Sequence, residues 1–206
     1  MLRLGSARAY PPGESLLRYG DRDNHVVLLL DGVVKVVVDS AVGKEAVLAV
    51  RVGGDLVGEL AAIDGGARSA TVIACGHVRT RVVGRVEFDA FLRRSPDTAH
   101  EISRMITERL RWSDRRRVDF VARSAAGRLA KVLLEIADGY GRVVDDGCEL
   151  DVSLTQVELG SLAGLAKRTV EKHMADLQAA KLIEARYRHI RLLDVVGLRE
   201  VAGLST

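Results

Sequence analysis

Apolar residues fall in short runs along the first 86 residues of the chain. HVVLLLDGVVKVVV, EAVLAVRV, RSATVIA and RTRVVG follow one another with glycine or aspartate between them. Glycines at 13, 20, 32, 43, 53, 54, 58, 65 and 66 punctuate them. Many brief Val/Leu runs with frequent turn signals predict a strand-rich barrel or sandwich from about Arg8 to Val86. After Val86 the period changes. EISRMITERLRWSDRRRVDFVARSA holds no glycine or proline over about seven turns. Ile102, Ile106, Leu110, Ser113, Arg117 and Val121 (or Phe120) recur in it every three to four residues. So narrow a stripe predicts a coiled-coil-like seam rather than a helix sunk in a broad core. The RRR at 115–117 reads as a solvated face. From Ser124, AAGRLAKVLLEIADGYG predicts an amphipathic helix, with Gly139 and Gly141 as its stop signals. RVVDDGCELDVSL then reads as a hairpin. The class is α+β: strands first, a long helix, then a smaller mixed unit.

The last unit carries the clearest local signal. In TQVELGSLAGLAKRTVEKHMADL, Thr155 and Glu158 form a capping box that starts a helix. Leu159, Leu162 and Ala163 face inward, Gly164 permits a tight turn, and Val170, Met174 and Leu177 line a second helix. That is a helix-turn-helix. Its second helix presents Lys167, Arg168, Thr169, Glu171 and Lys172 outward, where Arg and Lys can read guanine edges in a major groove. LIEARYRHIRLLD reads as a β-hairpin wing that carries Arg186, Arg188 and Arg191 toward phosphates. Thr155 and Gln156, at the start of the first helix, complete the candidate DNA contacts. A plain helical hairpin with surface lysines is the bland alternative.

Composition adds bounds. The chain has 206 residues, enough for one large domain or two modest ones, and a net charge of only +3. The charge is local instead: from Gly160 to Arg191 there are seven Lys/Arg against three Asp/Glu. Two distant cysteines, Cys75 and Cys148, make neither a disulfide framework nor a zinc pattern. No signal peptide and no apolar run of membrane-spanning length is present, so the expected setting is the cytoplasm, with no membrane partner. The Cys-Gly-His at 75–77 reads as structural on an apolar strand, so no metal is expected. No Walker loop, nucleotide fingerprint or catalytic carboxylate pair appears, which argues against an enzyme.

One stretch remains. GELAAIDGGARSA, residues 58–70, places Glu59 and Arg68 at the two ends of a loop of small residues. Either the two form an ion pair, or they share a ligand that offers a hydroxyl to the carboxylate and a phosphate to the guanidinium.

Taken in order, these parts resemble the cyclic-AMP receptor protein (CRP/FNR) family of bacterial transcription regulators from about Tyr10 to Leu198. PPGESLLRYGD and VVLLLDGVVKVVV look like the opening strands of that family's β-roll. GELAAIDGGARSA looks like its phosphate-binding cassette, and LTQVELGSLAGLAKRTVEKHMADL like its helix-turn-helix. The resemblance implies a cyclic-nucleotide-binding β-roll at 1–98, a dimerisation helix at 99–123 and a winged helix-turn-helix domain at 124–206. It implies a homodimer on a palindromic double-stranded DNA operator, with RNA polymerase as a further partner.

Its effector would be cAMP first and cGMP second, with no resident cofactor. Gly58, Glu59, Leu60, Ala61, Arg68 and Ser69 would hold the ribose and phosphate. The backbone N–H groups of Leu60, Ala61 and Ala62 would face the anion. Ser113 and Asp114 match the family's purine contacts; the Asp114 carboxylate suits guanine N1–H and N2–H as well as the adenine amino group. A hinge is expected near Arg123–Ala126. If Glu59 and Arg68 simply pair, the chain is instead a ligand-independent regulator with a degenerate cassette. The chain departs from the family at Ala166, where a capping serine is usual, and at Lys167 and Arg168, where Arg-Glu is common. Few residues precede the roll, where relatives usually carry a helix.

Overall fold

The computed structural model describes residues 1–39, 45–150, 152, 154–186 and 189–204. The valine-rich runs pair as two four-stranded antiparallel sheets. β1 (Ser6–Tyr10), β2 (Ser15–Leu17), β3 (Val26–Asp31), β4 (Val33–Asp39), β5 (Glu45–Val52) and β6 (Leu56–Val57) precede the six-residue helix α1 (Glu59–Asp64). β7 (Thr71–Ala74) and β8 (Val78–Val83) follow it. One sheet has the order β1-β8-β3-β6 and the other β2-β7-β4-β5, so the chain rolls back on itself. Strand β8 shows why the alternation works: Val78 and Thr80 are buried and Arg79 is exposed. In β3 neither face is wet near its start, and Val26, Val27 and Leu29 are all buried. Cys75, Gly76 and His77 lie in the turn between β7 and β8 rather than on a strand, and neither Cys75 nor Cys148 forms a disulfide.

Two helices follow the roll, α2 (Arg85–Arg94) and α3 (Pro96–Ala122). Pro96 opens α3, where its missing N–H leaves no intrahelical bond unmade. The expected seam is divided between two roles. Ile102, Met105 and Ile106 pack with Phe88, Val26 and Leu56 in a core of the chain's own roll. Farther along, Leu110 is 61% exposed and Val121 90% exposed. The periodicity predicts one continuous seam; its first part is intrachain core instead, because α2 and the strand ends bring apolar side chains up to it.

The chain divides into compact units at Met1–Arg115 and Arg116–Thr206, inside α3 and about two turns before the expected hinge. The second unit holds the end of α3, α4 (Ala125–Tyr140), β9 (Gly141–Val144), β10 (Gly147–Leu150), α5 (Gln156–Ala163), α6 (Lys167–Ala179), β11 (Ile183–Arg186), β12 (His189–Leu192) and α7 (Val195–Val201). Gly139 lies within α4 instead of ending it, and Gly141 caps the helix in extended backbone. The two predicted hairpins join through β10–β12 pairing into one sheet, β11-β12-β10-β9. Leu129, Leu133, Leu159, Met174, Ile183, Leu192 and Leu198 form the buried centre.

The segment expected to hinge is braced inside this unit. Asp119 accepts from Arg123 Nε at 2.7 Å and from Lys131 Nζ. Arg128 Nη1 donates to the Arg123 carbonyl at 3.0 Å. Burial alone would raise the Asp119 carboxyl, but hydrogen bonds and charge from Lys131 and Arg123 outweigh it and hold the group below its ordinary range. A depressed carboxyl contributes stability that is present above its unfolded pKa of about 3.9 and lost as pH falls through the folded value. Asp119→Asn should therefore destabilise the second unit by about 1–2 kcal/mol near neutral pH. In calorimetry the gap from wild type should close in acid; a gap independent of pH would assign the loss to packing.

Candidate functional site

Strand β6 delivers the chain to Gly58, whose φ of 81° lies in the left-handed region. A Cβ there would stand 2.6 Å from Arg68 Nη1 and 2.9 Å from Leu17 Cδ1, so glycine serves both the turn and the arginine beside it. Helix α1 follows, with Glu59 first and Gly65 as its left-handed C-cap. Ala62 N–H donates to the Gly58 carbonyl at 3.3 Å and is thus spent within the helix, which removes it from the amides expected to face an anion. The Leu60 and Ala61 amides belong to the first turn, where no intrahelical acceptor exists.

Arg68 and Glu59 are both buried, their side chains 2% and 7% exposed. They do not pair with each other. Arg68 Nε donates to Asp23 Oδ1 at 2.5 Å, Nη1 to the Gly58 carbonyl at 2.8 Å and Nη2 to the His25 carbonyl at 2.6 Å. The backbone explains the approach of Asp23: Arg68 N–H donates to the Asp21 carbonyl at 2.8 Å and Gly20 N–H to the Arg68 carbonyl at 2.9 Å. Glu59 Oε1 accepts from Arg109 Nη1 at 2.8 Å. Arg109 Nη2 also donates to the Leu56 carbonyl at 3.0 Å and to Asp55 Oδ1 at 3.3 Å. The simple Glu59–Arg68 ion pair is thus replaced by two separate clusters, because Arg109 and Asp23 each bring an opposite charge within reach. Ser69 is exposed beside Arg68.

Ser113 and Asp114 lie on α3 after Arg109, Ser113 half-buried and Asp114 exposed. Ser113 is four residues beyond Arg109 and so shares its helix face. Arg109, Asp55 and Asp23 were missed in the sequence. Spacing from Ser113 could have found Arg109, and Asp55 stands four residues before Glu59. Asp23 is 45 residues from Arg68 and had no local signal. Among the described residues no group of three or more His, Cys, Asp or Glu could hold a metal ion, and no helix is long and apolar enough to cross a membrane.

In the second unit the capping box is complete. Glu158 N–H donates to Thr155 Oγ1 at 3.3 Å, and Thr155 N–H donates to Glu158 Oε2 at 2.7 Å. Gly164 turns the chain at φ 63°, and a Cβ there would fall 2.0 Å from a ring carbon of Phe120. Arg128 Nε donates to the Ala163 carbonyl at 3.0 Å, and Arg116 Nη2 to the Ser161 carbonyl at 3.5 Å. Arg116 therefore belongs to the packing around the turn and corrects the solvated reading of RRR at its centre, while Arg115 and Arg117 are exposed. Ala166 caps α6 with no side-chain hydrogen bond.

Val170, Met174 and Leu177 are buried, which turns Arg168 and Lys172 outward. Neither cation has an acidic partner among the described residues, whereas Lys167 Nζ lies 3.6 Å from Glu171. Gln156 is exposed and Thr169 half-buried. On the wing, Arg186 reaches Glu184 at 2.7 Å and Arg191 reaches Asp146 at 3.0 Å, so neither stands as the open cation expected. Arg188 lies outside the described residues.

The sequence matches two family models, a cyclic nucleotide-binding domain over residues 7–95 and a Crp-like helix-turn-helix domain over residues 127–201. The chain belongs to the CRP/FNR family. A CRP-like cAMP-activated global transcriptional regulator of Mycobacterium tuberculosis is 26% identical over 90% of this chain and 83% of its own length. A cyclic AMP receptor protein of Thermus thermophilus is 27% identical over 96% and 89%. The solved structure of FixK2 from Bradyrhizobium japonicum superposes with a TM-score of 0.85 at 18% identity, covering 98% of this chain and all of that one, and shows the shared fold. CRP/FNR relatives are transcriptional regulators, not enzymes. This member carries the family's DNA-binding helix-turn-helix and its cyclic-nucleotide-binding roll.

The Arg109 cluster can be tested by itself. Arg109→Ala leaves the buried Glu59 carboxylate without a cation and beside Asp55; with Arg109 partly exposed, the loss of stability should be about 2 kcal/mol. Adding Glu59→Gln should recover part of it in urea unfolding, because a neutral amide needs no counter-charge. Full additivity of the two losses would show that the pair is not coupled.

Proposed function

We propose that the protein is a dimeric, cytoplasmic transcription regulator whose DNA binding is controlled by a cyclic nucleotide, cAMP first and cGMP second. The observation that carries this reading is the unshared pair of buried charges: Glu59 opens α1 and Arg68 follows it nine residues on, yet each is held by a different partner. A 3′,5′-cyclic nucleotide offers one ribose hydroxyl and one anionic phosphodiester. Ionised Glu59 accepts the hydroxyl in a charge-assisted bond, and Arg68 with Ser69 binds the phosphate. Gly58, Leu60 and Ala61 let the backbone come close. The purine meets α3 at Ser113 and Asp114, where the carboxylate sets the choice between adenine and guanine.

The exposed apolar residues Leu110 and Val121 support a seam between two copies of α3. A two-fold dimer fits a palindromic operator with half-sites about one helical turn apart. Lys167, Arg168, Thr169 and Lys172 read the groove, with Thr155, Gln156 and Arg188 at the backbone, and RNA polymerase is the further partner. For control, nucleotide must bind the DNA-competent state more tightly than the other state.

Isothermal titration of the nucleotide-stripped protein with cAMP and then cGMP tests the reading. Micromolar affinity for either is expected, with Arg68→Ala abolishing it while the dimer stays folded. Binding of neither leaves a ligand-independent regulator in which Arg109 and Asp23 permanently satisfy the two charges. In gel shifts, Lys172→Ala should weaken operator binding roughly tenfold and leave nucleotide affinity unchanged; loss of both would indicate misfolding.

A further inference from the structure

Arg68 has three acceptors, and they differ in kind. The Gly58 and His25 carbonyls are backbone groups fixed by the fold. The third is the Asp23 carboxylate, whose side chain is 43% exposed over a guanidinium that is only 2% exposed. Asp23 is therefore the one partner of Arg68 that faces solvent and can leave without breaking the backbone. It is also the one that carries charge, and its single negative charge equals that of a phosphodiester. Its second oxygen, Oδ2, lies 3.2 Å from His25 Nδ1. Burial pushes His25 below its ordinary range against the pull of Asp23, so near neutral pH the imidazole is uncharged. Arg68 is then the cation that neutralises Asp23.

The geometry points to Asp23 as an internal stand-in for the effector phosphate, an anion that occupies Arg68 in the free protein and must give way when a nucleotide binds. This inference rests on the effector reading above and adds to it the group that sets affinity from within. Exchange of carboxylate for phosphodiester keeps the buried guanidinium neutralised throughout, while the displaced Asp23 carboxylate, already 43% exposed, is left to solvent. Even before it swings out, Asp23 opposes the ligand, because two anions then face one buried cation. The consequence is a receptor that stays stable when empty and half-saturates at a higher ligand concentration than the unoccupied arginine alone would. Asp23 acts on the phosphate through Arg68 and is a positioning residue.

The test compares the full-length wild type with Asp23→Asn by isothermal titration against cAMP and against cGMP. The amide keeps the shape and a hydrogen-bond acceptor but removes the charge. It should bind the preferred nucleotide on the order of tenfold more tightly, and Asp23→Glu, which restores the charge, should return affinity toward wild type. If wild type binds and the Asn variant binds no tighter, the stand-in role is overturned while the effector reading stands. If both variants fold but neither they nor wild type bind either nucleotide, both readings fall.

Carboxyl footprinting of the unaltered chain gives a second readout that does not depend on the fold of a variant. Asp23 should be labelled faster once nucleotide saturates the site, as it leaves Arg68. Labelling that is unchanged or slower would overturn the exchange.

Discussion

A guanidinium and a carboxylate sunk into the wall of a valine-rich roll cannot stand alone, and much of the first unit is arranged around that demand. Removing either charge from water is costly unless an opposite charge and fixed acceptors replace the lost hydration. The chain meets the demand twice. Arg109 reaches from α3 to Glu59, tying the helix to the start of α1. Asp23 reaches from the loop before β3 to Arg68, tying that loop to the segment before β7. Gly58 stands between the clusters and, having no side chain, leaves room for the arginine. The cassette is thus a crossing point where a helix, a loop and two strand ends are held by electrostatics, beside a core that is otherwise aliphatic.

The second unit is governed by backbone turns and carbonyls rather than by buried ions. Arginine donors meet the carbonyls at the end of α5 from two sides, Arg128 on Ala163 and Arg116 on Ser161. Cations at a helix C-terminus complement its dipole. This fixes the turn that aims α6, whose outward Arg168 and Lys172 are left available because the acidic residues nearby engage others. Pairing of β10 with β12 makes wing and hairpin one four-stranded sheet, so the wing is not a marginal two-stranded ribbon.

Features set by local chemistry were legible in the chain. The capping box at Thr155 and Glu158, the turn at Gly164, the inward Val170, Met174 and Leu177, and the valine runs of the roll depend on residues a few positions apart, and sequence displays such spacing directly. The cassette was legible as a motif but not as a network. Arg109 and Asp23 come from segments far from the residues they serve, and their roles follow from the folded path alone. The seam stripe misled for a similar reason: periodicity marks which face of α3 is apolar, not whether the roll or another copy covers it. Ile102 and Ile106 face the roll, while Leu110 does not. Gly139 shows the opposite limit, since packing of the surrounding Leu and Ile residues carries α4 through a residue that favours stopping.

The contact between Phe120 and Gly164 binds the history of two positions together. Any side chain at 164 would meet the phenyl ring, and the left-handed backbone there resists a β-carbon independently. Position 164 therefore cannot drift by simple replacement, while position 120 can shrink only by opening a gap above the turn that aims α6. In lineages descended from this chain glycine should therefore persist at 164 whatever residue stands at 120, and a ring at 120 is open only to those that keep it.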